Sequence, residues 1–257
     1  MTAVSVHAAG NLVNTYYDFV KGIDSKKSDD RTLVDHILSK DEVVSLASVL
    51  YGLGCLGFVC SVALSPAKME HLALVYFGGL SSSFLYTGGV GFKYIALGDV
   101  LVLIIFGPVT LVFSFMAQSG RFHWATIVYA LPLALNSEAI LHSNNTRDME
   151  SDRRAGIVTL AILIGPTLSK VLYALLLFTP FIIVTLWAMH CSAWFFLPLL
   201  SMKSAFTLEK DFRALSPVPL QIPKRTAQLT LTFGILYVLA VALAPAKSLP
   251  LLASLAR

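Results

Sequence analysis

The sequence predicts an all-α, polytopic transmembrane helix bundle, and three observations carry that expectation. Hydrophobic residues make up 56% of the chain and charged residues only 13%, against about 25% charged in soluble globular chains. Charge-free stretches long enough to cross a bilayer recur along the 257 residues. The basic residues gather on alternate loops, the asymmetry expected of a membrane-spanning chain.

A hydrocarbon core about 30 Å thick is crossed by roughly 20 apolar residues in a helix. Residues 43–64 form a charge-free run of 22, and 72–92, 100–120 and 226–246 form runs of 21. Residues 122–142 supply a further span, its end marked by Glu138 and His142. The 32 charge-free residues 171–202 exceed one crossing. The polar interruption "MHCS" divides them into a helix over 166–189 and another running from Ser192 to about Leu208. Seven full spans result. Residues 157–165 are only nine apolar positions, which reads as an interfacial or re-entrant piece. Unpaired backbone groups are not tolerated in lipid, so the spans are helices, and no alternation of barrel type appears.

If the spans alternate, the segments 18–42, 91–98, 142–170 and 203–225 share one side. They hold 15 of the 19 basic residues, while Lys68, Arg121, Lys247 and Arg257 hold the other. The charged loops therefore face the cytosol. This bias accounts for the net charge of +4, and nucleic acid is not an expected partner. Cys55, Cys60 and Cys191 form no metal or redox spacing. No signal peptide and no internal repeat are visible, so residues 1–257 read as one domain.

Against this apolar background stands "SNNTRDMESDRRAGIVT", residues 143–159, with six charged side chains between Arg147 and Arg154. Asp148 and Asp152 are four apart, as are Asn14 and Asp18 in "GNLVNTYYDFVKGID". On a helix such pairs share a face, and Asn145 and Asn11 add carboxamide oxygens one turn earlier. Only oxygen donors gather here, the set preferred by hard cations such as Mg²⁺, which share such ligands with substrate phosphates. Lys21 follows the first pair; Arg147, Arg153 and Arg154 surround the second. Solvated helix caps would explain either pair alone, but two on one side of the membrane, each beside cations, have the composition of a diphosphate site. A third patch on that side, "YTGGVGFKYIALGD", offers Tyr86 as a donor, Lys93 as a cation and Gly88, Gly89 and Gly91 for close backbone approach. Glu138 and His142 read as structural polar contacts. Asp29 and Asp30 in "KKSDDRTL" read as a solvated charge run, and "LSPVPLQIPKR" as an interfacial loop.

These motifs resemble those of the UbiA superfamily of intramembrane prenyltransferases. "NNTRDMESDRRAGIVTLA" is similar to the second Asp-rich motif, with Asn145, Asp148, Asp152, Gly156 and Thr159 in register. "NLVNTYYDFVKGID" resembles the first at Asn14 and Asp18, and "YTGGVGFKYIALGD" the Tyr/Lys motif between them. The N-N-x-R-D-x-x-x-D form, with "KGID" and "KYIALGD", looks like the menaquinone (vitamin K) branch, and the likeness covers nearly the whole chain.

The resemblance implies transfer of a prenyl group, geranylgeranyl, from its diphosphate to a naphthoquinone-type ring to give menaquinone-4. It implies Mg²⁺ held by Asn14, Asp18, Asn145, Asp148 and Asp152, with Asp18, Asp148 and Asp152 essential to catalysis. It implies a diphosphate gripped by Lys21, Tyr86, Lys93, Arg147 and Arg153. A 4-hydroxybenzoate acceptor, as in ubiquinone synthesis, would use the same machinery. The implied address is the endoplasmic reticulum or Golgi, with a mitochondrial membrane as the alternative. Family members have nine helices, and this chain opens inside what would be the second, so an N-terminally incomplete domain is expected. Its first motif would hang from a stub of about ten residues, too short to span. Thr15 stands where many relatives carry Asp, and Arg154 where an acid is expected. An alternative follows from the same resemblance: an inactive, truncated membrane protein retaining a regulatory role, since animal relatives are thought to bind a sterol-synthesis enzyme. A transporter with an acidic cation site is a third reading, but its inverted repeats are not evident.

Overall fold

The computed structural model describes residues 1–24, 30–79, 83–88, 91–214 and 221–251. Lys26, Lys27 and Asp29 of the expected charge run, Gly89, and residues 215–220 of the proline-rich loop lie outside the described residues. Within them the chain is helical, without strands, and carries a single isolated bridge between Ile95 and Val158. In chain order come α1 (Thr2–Val20), α2 (Lys40–Leu64), α3 (Met69–Gly78), α4 (Ser83–Thr87), a 3₁₀ turn (Phe92–Tyr94) and α5 (Gly98–Ile104). A π-helical turn (Ile105–Val109) leads into α6 (Thr110–Ser119), followed by α7 (Ala125–Arg147), α8 (Met149–Arg154) and α9 (Leu160–His190). A 3₁₀ stretch (Ala193–Ser201), α10 (Met202–Ala214), α11 (Ile222–Leu243) and a last 3₁₀ turn (Ala246–Ser248) complete the set among the described residues.

The expected all-α membrane bundle is borne out. Of the seven full spans expected, four are helical stretches long and apolar enough to cross among the described residues, namely Lys40–Leu64, Gly98–Ser119, Leu160–His190 and Ile222–Leu243. The span expected over 122–142 is the continuous helix α7, whose Asn136, Glu138 and His142 make it less apolar than those four. The span expected over 72–92 is divided into α3 and α4. Gly79 follows α3 with its backbone pressed so close to Val75 O that a Cβ there would lie 2.6 Å away. The expected helix from Ser192 to Leu208 is instead a 3₁₀ stretch running into α10; Pro198, which lacks an N–H to donate, stands inside it. Residues 160–164 are set apart by a non-helical Gly165 (φ 77°, ψ 171°), after which Pro166 opens the long helix at the predicted place.

Two compact units divide the chain. The first comprises Met1–Leu101, Val109–Phe122 and Glu150–Thr159. Here α1 lies along α2, burying Val6, Ala9 and Val13. A capping box starts α2: Ser39 N donates to Glu42 Oε2 at 2.7 Å and Glu42 N donates back to Ser39 Oγ at 3.3 Å. The approach of the two helices depends on Gly57, where a Cβ would lie 3.2 Å from Thr2 N and 3.3 Å from Thr2 Cα. Because those are backbone atoms, Gly57→Val is expected to destabilise by about 1–3 kcal/mol. Thermal unfolding in detergent checks this, with Gly52→Val as the control, since nothing lies within 4 Å of a Cβ at Gly52.

The second unit comprises Val102–Pro108, His123–Met149 and Leu160–Arg257. Its helices α7, α9 and α11 pack around aromatic side chains. Tyr173 stacks on Phe212 with centroids 4.0 Å apart and shares a 2.7 Å hydrogen bond with Thr226. Phe181 meets Phe233 edge-on, and the Tyr237 hydroxyl donates to Tyr129 O at 2.9 Å. Leu163, Leu168, Leu175, Ile182, Leu231 and Ile235 are exposed, as lipid-facing residues of spans are.

Candidate active site

The first unit assembles one group of site residues around α1. Asn14 and Asp18 lie one helical turn apart near its C-terminal end, and Asp18 is buried. Gly91, at φ 65°, turns the chain into the 3₁₀ turn that carries Lys93 and Tyr94; a Cβ there would meet the Tyr94 ring at 2.7 Å. From that turn Lys93 Nζ donates to Asp18 Oδ2 at 2.6 Å and to Asn14 Oδ1 at 3.1 Å. The Tyr94 hydroxyl donates to Asp18 Oδ1 at 3.0 Å, and Thr87 Oγ1 to Asn14 Oδ1 at 2.9 Å. The first acidic motif and the Tyr/Lys motif are thus one cluster, although Lys93 and Asp18 are 75 positions apart.

Two oxygens of different residues converge on one ammonium, which stands in for the cation this donor set would take. That arrangement fits a hard metal ion. Mg²⁺ commonly completes such a two-residue donor set with substrate and water oxygens. Burial and the neighbouring Asp18 charge hold the Tyr94 phenol well above its ordinary pKa, so it remains a donor. The ammonium of Lys21, expected on a diphosphate, lies 3.5 Å from the centroid of the Tyr94 ring. Tyr86 is half-buried on α4, its ring packed beside Gly98.

Further acidic residues join this group. Ile23 N and Asp24 N both donate to Asp18 O, at 2.8 and 3.3 Å, turning the chain back over the end of α1. Asp30 corrects the expectation of a solvated charge run: its Oδ2 accepts from Thr15 Oγ1 at 2.5 Å and its Oδ1 from Thr32 N at 2.9 Å. Burial opposes ionisation of Asp30, but the hydrogen bonds from Thr15 and Thr32 outweigh it and its pKa is lowered. The carboxylate beside Thr15, absent from that position in the sequence, is brought by Asp30. Asp24 is shifted the other way, up to about 6, by burial and then by the charges of Asp18 and Asp30, with Lys93 in opposition. An acid whose folded pKa is raised loses stability as pH climbs from 3.8 through about 6. Asp24→Asn is therefore expected to flatten the fall in thermal midpoint across that window, read by melting scans at matched ionic strength.

The second acidic motif divides between the units. Asn145, buried, and Asp148 belong to the second, where Arg147 forks the Asp148 carboxylate: Nε to Oδ1 at 2.7 Å and Nη2 to Oδ2 at 2.6 Å. Arg147 Nη2 also donates to Asn144 Oδ1 at 2.7 Å. Asp148 and Asp152 do not share one uninterrupted helix. α7 ends at Arg147, Asp148 (φ −94°, ψ 5°) caps it, and α8 begins at Met149. Adjacent residues on a regular helix point away from each other, so a bidentate pair between neighbours requires this departure. Glu138 and His142 are buried, and His142 Nε2 lies 3.0 Å from Ser169 O, in keeping with a structural role.

Asp152 and Arg153 sit on α8 in the first unit. Arg153 is exposed and pairs with Glu150 at 3.3 Å. After α8, Gly156 (φ 74°) turns the chain so that Val158 N donates to Tyr94 O at 3.2 Å and Ala96 N donates to Val158 O at 2.7 Å. This parallel tie joins the end of the second motif to the Lys93–Tyr94 turn.

Residues 1–218 match the UbiA prenyltransferase family. The chain belongs to that family. It is 64% identical over 239 residues to the UbiA prenyltransferase domain-containing protein 1 homolog of Drosophila melanogaster, covering 93% of this chain and 66% of that one. It is 59% identical over 250 residues to UbiA prenyltransferase domain-containing protein 1 of Homo sapiens, covering 97% and 73% respectively. A solved structure described as digeranylgeranylglyceryl phosphate synthase in membranes superposes with a TM-score of 0.55 at 19% identity, over 93% of this chain and 81% of its own; that likeness shows the fold. UbiA membership makes the chain a prenyltransferase by class, acting within the membrane on an isoprenoid diphosphate and an aromatic acceptor, with general dependence on a divalent metal. The UbiA motifs expected from the sequence lie on α1, on α4 and the turn after it, and on α7–α8. Sequence reading passed over Tyr94, Thr87, Asp24, Asp30 and Asn144 as members of the site.

Proposed function

We propose that this chain transfers a geranylgeranyl group from its diphosphate to a naphthoquinone-type ring, giving menaquinone-4, with Mg²⁺ as the metal. The observation that supports this best is the convergence of Asn14 and Asp18 oxygens on a single cation beside the Tyr94 hydroxyl. Asn14 and Asp18, with Asn145, Asp148 and Asp152, are the ligands; bound Mg²⁺ would offset charge on the departing diphosphate. Lys93, Lys21, Arg147, Arg153 and Tyr86 serve the phosphate oxygens, adding fixed positive charge where negative charge develops. Ionisation of the allylic C–O bond leaves a carbocation on the prenyl carbon, and the electron-rich ring carbon attacks it. The ring, supplied as the hydroquinone, then loses its proton to the released diphosphate and aromaticity returns. The quinol so formed gives menaquinone-4 on two-electron oxidation by dioxygen after release. Burial among helices would keep water from the carbocation.

The charged loops are proposed to face the cytosol in the endoplasmic reticulum or Golgi. A sterol-synthesis enzyme is the proposed protein partner. The test is prenyl transfer by membranes carrying this chain, supplied with geranylgeranyl diphosphate, menadiol and Mg²⁺. Menaquinone-4 that disappears with chelator supports the assignment. Product formed from 4-hydroxybenzoate but not from menadiol would replace the acceptor, and transfer to neither would remove the function.

A further inference from the structure

The second unit contains a groove that the prenyl-transfer site does not use. It lies between α10, the end of the 3₁₀ stretch and the first turns of α11, and encloses about 380 Å³. Lys203 and Arg225 line it together with Ser204, Thr207 and Gln228, while Leu200 and Leu229 form apolar wall.

The chemistry of this lining is unusual for its place. α11 is apolar enough to span, and the charge-free part of the chain begins at Thr226. The exposed side chains of its later turns, Leu231, Ile235, Val238 and Leu239, are those expected against lipid tails. Gln228 is also exposed, yet polar. α10 opposite presents Lys203, Ser204 and Thr207, all exposed. Polar groups left against hydrocarbon cost free energy, so this face belongs to the headgroup layer or is covered by something polar.

Charge decides between ligands. Arg225 Nη1 is engaged by Asp211 Oδ2 at 2.7 Å, and Glu209 by Arg213 at 2.8 Å. Lys203 has no ion-pair partner among the described residues. The Thr207 hydroxyl donates to Lys203 O at 3.0 Å, leaving the Lys203 ammonium, the Ser204 hydroxyl and the Gln228 amide as donors without a described acceptor. The groove therefore holds one uncompensated positive charge and neutral donors at its polar end, with leucines beside them. A phosphodiester carries one negative charge and only acceptor oxygens, and in a glycerophospholipid it is joined to acyl chains.

We propose that this groove binds the phosphodiester of an anionic glycerophospholipid, with Lys203 as its counter-ion and Ser204 and Gln228 as hydrogen-bond donors. A free phosphate would satisfy the same polar groups but would leave the exposed side chain of Leu200 uncovered.

The test is thermal unfolding of the full chain in neutral detergent, titrated in turn with phosphatidylglycerol, phosphatidylcholine and inorganic phosphate. The expected result is an upward shift of the midpoint with phosphatidylglycerol alone. Lys203→Gln is expected to lose that shift while keeping the lipid-free midpoint, because Lys203 is exposed and makes no ion pair among the described residues. Gln228→Leu provides a second variant that weakens the shift without removing a charge. Equal shifts with phosphatidylcholine, or an undiminished phosphatidylglycerol shift in both variants, would overturn the site. A shift of equal size with inorganic phosphate would overturn the lipid as its ligand.

Discussion

Lys93→Met is expected to lower the stability of the chain by about 3 kcal/mol, because it strands a buried carboxylate without its cation. Asp18 has only 7% of its side chain exposed and Lys93 21%, and their 2.6 Å contact is reinforced by Asn14. Tyr94 would still donate to Asp18 Oδ1, which keeps the loss near the lower end for a broken buried pair. Denaturation in detergent measures it. Added Mg²⁺ is expected to raise the midpoint of the variant more than that of the unaltered chain, since the divalent ion replaces the missing charge on the Asn14 and Asp18 oxygens. Equal midpoints for the two proteins without metal would sink the idea that Lys93 is the counter-ion of the first motif.

Asp148→Asn is expected to reduce prenyl transfer by about 10³-fold, which corresponds to about 4 kcal/mol of transition-state stabilisation. Folding is expected to survive with some loss of stability: the Arg147 side chain is only 8% exposed and loses its counter-charge, but the amide oxygen introduced and Asn144 both remain as acceptors. Arg147→Lys tests the other half of the pair. A lysine cannot fork the carboxylate, so Asp148 would lose its fixed orientation and transfer would fall with little change in folding. Single-turnover product formation under saturating diphosphate measures both variants. Normal rates in Asp148→Asn would remove the second motif from catalysis.

Much of this was legible from residue order, because membrane spans announce themselves by length. The runs at 43–64, 100–120 and 226–246 each correspond to a helical stretch of the structure. The i, i+4 spacing of Asn14 and Asp18 placed two oxygens on one face, and they share a face on α1. What hydropathy could not register was local chemistry at the ends of elements. Residues 192–208 are apolar throughout their first half, but Pro198 stands where a regular helix needs a donor. Asp148 stands just past the end of α7 with its carboxylate held by the preceding arginine, a contact invisible to periodicity. Long-range partners were equally hidden. Nothing in "KKSDDRTL" signals that Asp30 reaches Thr15, and nothing in "KYIALGD" separates Tyr94, which meets Asp18, from other interfacial tyrosines.

The parallel tie at Val158 makes chain length a constraint on that loop in its own right, beside the glycine that the positive φ at position 156 favours. Both backbone groups of Val158 are engaged on the strip from Tyr94 to Ala96, and six positions earlier Asp152 O accepts from Ile157 N at 2.9 Å. The stretch between Asp152 and Val158 is thereby closed at each end. Exposed residues such as Arg154, whose Nε donates only within α8 to Glu150 O among the described residues, and Ala155 are open to exchange for many others. Adding or removing a single residue is different: it would slip the bridge by one position and turn the paired groups to the opposite side. Natural variation in this segment should therefore appear as substitution, with insertions and deletions absent.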